Sequence, residues 1–157
     1  MSDEALSAYL NDHLAGSVGA IEMIERAIQE NAGNLLARRL EEELEAIRKD
    51  QGIVRDLIQR IGSSESRLKK TGAWQAEKAG RVKLGGTDEP TELSRMETLE
   101  ALVIGIHGRW ALWRALRVAA DRHAVLRDLD LDALERRTAE QHDRVEEWRL
   151  EAAREVL

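Results

Sequence analysis

Four long stretches in which apolar residues recur every three or four positions, arranged as two closely joined pairs, constrain this chain more than any other feature. In the first, Leu6, Leu10, Leu14, Ser17, Ile21, Ile24 and Ile28 fall on one side of a helix, which predicts helix from Asp3 to Asn31. The second, Asn34 to Ile61, repeats Leu36, Leu40, Leu44, Ile47, Val54 and Leu57 in the same rhythm. Only Ala32-Gly33-Asn34 separates the two, so they are expected to form an antiparallel hairpin. A third run, Thr91 to His123, carries Leu93, Met96, Leu99, Val103, Trp110, Leu116 and Val118. The fourth, Leu129 to Val156, carries Leu131, Leu134, Thr138, Val145 and Trp148 after a start marked by Asp128 and Asp130. Two hairpins with one stripe per helix can bury those stripes only against each other. The expected fold is therefore all-α, a four-helix bundle forming one domain over residues 1–157.

Between the pairs, Gly62 to Pro90 is long enough to run back along a whole bundle. Within it, Ser64 to Leu84 reads as a shorter helix outside the bundle, capped by Ser64 and ended by Gly85-Gly86. A connection that spans instead of turning leaves the second and third helices parallel. The order of helices, this crossover, and the run Tyr9-Leu10-Asn11-Asp12-His13-Leu14-Ala15-Gly16 resemble a bacterial ferritin-like family of uncharacterised proteins, over nearly the whole chain. The resemblance implies a ferritin-like four-helix bundle with a long helical crossover between helices two and three. Metal-binding ferritin-like proteins place a Glu on each of two helices and Glu-x-x-His on each of the other two. This chain has no Glu-x-x-His, and Glu140 precedes His142 by only two positions, so the usual di-iron ligand set is not expected.

Composition narrows the possible chemistry. With no cysteine, disulfides and thiolate metal sites are excluded. The formal charge is −6 and the cations are interspersed with acids, so no global positive field exists to hold a nucleic acid. The longest apolar stretches, such as Ala101 to Ile106, are far shorter than the about 20 residues that a membrane span takes. The polar start Met1-Ser2-Asp3-Glu4 carries no apolar signal region, and a soluble cytoplasmic protein is expected.

Placing residues at about 1.5 Å of rise each brings His13, Asp50, His107 and His142 to a similar height, with Asp143 within one turn. Glu22, Glu43 and Glu100 fall in a second layer about two turns away. Imidazole with carboxylate suits zinc, manganese or iron. The same residue types also serve as buried polar contacts, and Glu43 and Glu100 could equally pair with Arg39, Arg109 or Arg114. Gly16 and Gly19 on the first helix and Gly105 and Gly108 on the third flank His13 and His107. They read as seats for close helix packing or as room for a ligand or a bulky side chain. Trp110, Trp113 and Trp148 are expected in the core, and Trp74 is expected to anchor the crossover. The crossover itself is basic, with Arg67, Lys69, Lys70, Lys78, Arg81 and Lys83, which fits a solvated face or an anionic partner.

No motif among these residues specifies a reaction. The sequence favours a non-catalytic bundle that self-associates, as a homodimer, or docks another protein, and that needs no cofactor. The alternative is a redox or storage protein with iron, manganese or zinc in a divergent His/carboxylate layer.

Overall fold

The computed structural model describes residues 2–62 and 90–157. The expected crossover helix, Trp74 and the basic cluster lie outside the described residues. Four α-helices occur among those described: α1 (Ser2–Glu30), α2 (Leu35–Ile61), α3 (Glu92–Ala119) and α4 (Leu131–Val156). A 3-10 turn, Ala124–Leu126, lies between the last two.

Side chains at the helix starts explain where the helices begin. The Asn34 side chain accepts from the Ala37 backbone N–H, and that of Asp130 from Ala133. Thr91 and Ser94 cap each other reciprocally in a capping box. Each arrangement satisfies donors that the first helical turn leaves open. Helix α2 stops at Gly62, whose φ of 77° is left-handed and which returns its N–H to the carbonyls of Ile58 and Gln59. Helix α3 ends at Ala119, before the expected His123. His123 leaves helical geometry and is buried, with Nδ1 3.0 Å from Oδ1 of Asp3. That contact ties the α3–α4 connection to the first turn of α1.

The core divides into two ends, and their membership fixes the topology. One end combines Leu6, Leu10 and Leu14 of α1, Val54 and Leu57 of α2, Leu112, Trp113 and Leu116 of α3, and Leu131 and Leu134 of α4. The other combines Ile24, Leu40, Leu44, Leu99, Leu102, Ile106 and Val145. The first end thus holds the C-terminal parts of both α2 and α3, so these helices run parallel. The chain leaves α2 at one end of the bundle and enters α3 at the other. Cross-links agree with this direction. Arg60 near the end of α2 donates to Asp128 before α4 at 2.6 Å, and Arg95 near the start of α3 donates to Asn31 after α1 at 2.7 Å. Each fully buried Leu or Ile contributes about 1.5–3 kcal/mol relative to exposure, which makes the two clusters the main source of stability.

Trp113 is fully buried, and its indole N–H donates to Oγ1 of Thr138 at 3.1 Å. Trp110 and Trp148 are only half-buried, because each sits at the edge of the bundle under an arginine. No helix among the described residues is long and apolar enough to cross a membrane.

Candidate functional site

The interior polar residues of α2 form one chain of contacts with α3 and α4. Asp50 is 1% exposed and meets two arginines, with Arg109 Nε at 2.9 Å and Arg137 as a direct donor. The Arg109 contact is an ion pair whose angle lies outside hydrogen-bonding range. Arg109 also donates to the side-chain oxygen of Gln141, and Gln141 in turn donates to Glu43. Glu43, equally buried, accepts two further bonds from Arg144 at 3.1 and 3.0 Å. Two buried carboxylates are therefore matched by three guanidinium groups and an amide. Burial pushes Arg109 below the usual guanidinium range, while the neighbouring Asp50 and Glu43 pull it back up. Such a network fixes how the two hairpins register, since removing Asp50 leaves the Arg109 charge buried without its partner.

The four residues nominated for a first metal layer do not converge. Asp50 is held between two arginines, which supply the positive charge a metal would bring. His13 lines a cavity between α1, α2 and α3, where its ring meets the edge of Tyr9 at 4.7 Å. Burial lowers its pKa, and the adjacent Asp12 carboxylate partly opposes this. His107 and His142 instead lie side by side between α3 and α4, ring centroids 5.8 Å apart, against Trp110. The second layer also disperses. Glu43 is in the buried network, Glu100 is 3.9 Å from Arg149 at the surface, and Glu22 is exposed. Among the described residues no group of three or more His, Cys, Asp or Glu is arranged to hold a metal ion.

The glycines do not seat a close helix crossing. A methyl group added at Gly16, Gly19, Gly105 or Gly108 would meet nothing within 4 Å among the described residues. Gly16, Gly105 and Gly108 face open space along a cavity of about 380 Å³, walled by apolar side chains such as Met23, Ile47, Leu102 and Ile106. Tyr9, Asp12, His13, Ser17, Asp50, Gln51 and Arg109 are its polar lining.

A second feature escaped the spacing argument. Helix α3 is apolar on two sides. Opposite the buried stripe of Met96, Leu99, Leu102 and Ile106 lie Ile104, Ala111 and Val118 at intervals of seven, with Ala115 beside them. Ile104 is 67% and Val118 82% exposed. The signal was present in the sequence as a run without charge from Ala101 to Gly108, which reads as buried core until the neighbouring helices are placed.

Comparison with protein-family models, with curated proteins and with solved structures finds no match to this chain. Its function is therefore argued from this geometry alone.

Proposed function

We propose that this protein is a non-catalytic bundle of ferritin-like arrangement that works by self-association, with α3 of one copy packing on α3 of a second. The observation that carries this reading is the exposed stripe of Ile104, Ala111 and Val118. A seven-residue apolar repeat is the spacing by which two helices pair along a seam, and small residues at Gly108, Ala111 and Ala115 let their backbones approach. A helix apolar on both sides lies between two apolar surfaces, and the described part of this chain supplies only one. Parallel α2 and α3, with the chain leaving α2 at one end of the bundle and entering α3 at the other, support the ferritin-like arrangement. The interior polar groups support the non-catalytic part, since the buried carboxylates Asp50 and Glu43 are each held by arginines.

Sedimentation velocity at tens of micromolar protein tests the reading. A dimer is expected, converted to a folded monomer by Ile104→Glu with Val118→Glu. A wild-type monomer at that concentration would refute it.

A second reading rests on His107 and His142. Two imidazoles on one transition-metal ion place their rings about 5 to 6 Å apart, and these lie at 5.8 Å. His142 Nδ1 is 3.2 Å from the Asp143 carboxylate, an outer contact that leaves Nε2 to bind. Elemental analysis of protein purified without added metal separates the readings: stoichiometric iron, manganese or zinc, lost on His107→Ala, would favour this one.

A further inference from the structure

The cavity between α1, α2 and α3 has exposed residues at Gly16 and Gly105 in its lining, and its size and lining carry an inference separate from self-association. Its volume of about 380 Å³ falls in the range that small-molecule sites occupy. Most of the wall is aliphatic, from Met23, Ile47, Val54, Leu102 and Ile106. Local packing does not account for the space. Glycine is the weakest helix former after proline, and a methyl at Gly16, Gly105 or Gly108 would strengthen the helix without meeting any neighbour within 4 Å. Among the described residues, no steric contact requires glycine at these positions.

The polar groups define what would fit. Arg109 is the cation of the lining, and it is already paired with Asp50, which Arg137 also neutralises. Among the described residues of the lining no unpaired cation is left to receive an anion, and Asp12 there repels one. A cationic guest would be placed beside the Arg109 guanidinium. Gln51 of the lining donates to the Ser17 hydroxyl at 2.9 Å. His13 is not tied in this way, because neither of its ring nitrogens has a hydrogen-bond partner among the described residues, and its ring is positioned by Tyr9. Held neutral by burial, it offers one N–H and one lone pair.

We propose that this cavity binds a neutral, compact and mostly apolar molecule carrying a single hydrogen-bonding group, which His13 meets. The aliphatic wall takes the body of such a guest and loses water in doing so, while the imidazole replaces the one hydrogen bond the guest surrenders. An ionised guest would give up its hydration for no matching charge.

Indole, which is neutral, apolar and has one N–H, is the probe, with indole-3-acetate and tryptamine as its anionic and cationic counterparts. Calorimetry and amide chemical shifts on the full chain are expected to show saturable indole binding that moves the signals of His13, Gly16 and Gly105. Both charged analogues should bind at least about tenfold more weakly. Gly105→Leu, which fills the cavity, should weaken indole binding by a similar factor with the helical circular dichroism spectrum retained, and Gly16→Leu repeats the test should that variant fail to fold. Absence of saturable shifts up to the solubility limit of indole would overturn the proposal. So would unchanged affinity in a folded cavity-filling variant, or indole-3-acetate binding as tightly as indole.

Discussion

Arg109 of α3 and Asp50 of α2 meet inside the bundle, Nε to Oδ2 at 2.9 Å, and this pair is the centre of the contacts that join one helical hairpin to the other. Apolar stripes alone would let the hairpins slide by a turn, since one Leu replaces another at little cost. A buried carboxylate held by arginines from both α3 and α4 does not allow that slip.

Asp50→Ala is expected to destabilise the fold by about 3–5 kcal/mol, because it leaves the Arg109 charge buried without its partner. Urea denaturation measures this. A loss below about 1 kcal/mol would mean that water reaches Arg109 and that the pair does not set the register.

Two glycine substitutions are expected to act in opposite directions. Gly105→Ala should stabilise by about 0.5–1 kcal/mol, since the methyl meets open space and alanine is the better helix former. Gly62→Ala should destabilise by about 1–2 kcal/mol, because φ of 77° forces a Cβ against the following carbonyl. Thermal unfolding of both variants checks the pair, and equal signs would contradict the backbone account.

Thr138→Val keeps the shape of the side chain but removes the acceptor of the Trp113 N–H. Trp113 is fully buried, so the stranded donor should cost about 1–3 kcal/mol. Trp113→Phe at the same time should recover part of that hydrogen-bond loss, which a double-mutant cycle reads directly. Additive losses would show that the bond contributes nothing.

His13 gives the fold a pH dependence. Burial lowers its pKa in the folded chain, so the unfolded chain binds the proton more readily. Stability from this group is therefore complete above the unfolded value of about 6.5 and declines as pH falls below it, through the folded pKa. His13→Gln should flatten that part of the stability profile. An NMR titration of His13 with a midpoint at or above the reference value would contradict the sign.

The helices were legible in the sequence because a stripe at a period of 3.6 survives any detail of packing, and Asn34, Thr91 and Asp130 marked three of the starts. The early end of α3 was not legible: no glycine or proline lies between Ala119 and His123, and the helix stops where His123 finds Asp3, a residue distant in sequence. Asp50 and Glu43 stood out as carboxylates on an apolar helix side, but their partners did not. Nothing in the sequence sets Arg137, Gln141 and Arg144 apart, because the offset between α2 and α4 decides what they meet. The glycines were ambiguous for a physical reason, since tight packing and an open cavity both need small residues.

The central claim, a seam between two copies along α3, is tested most directly by a single cysteine at position 111. Ala111 lies midway between Ile104 and Val118, so it meets its own counterpart whether the two helices pair parallel or antiparallel. The chain has no other cysteine, and mild oxidation of Ala111→Cys should yield a disulfide-linked dimer in high yield, while Arg55→Cys on the exposed surface of α2 should not. Equal and low cross-linking at both positions would contradict the seam.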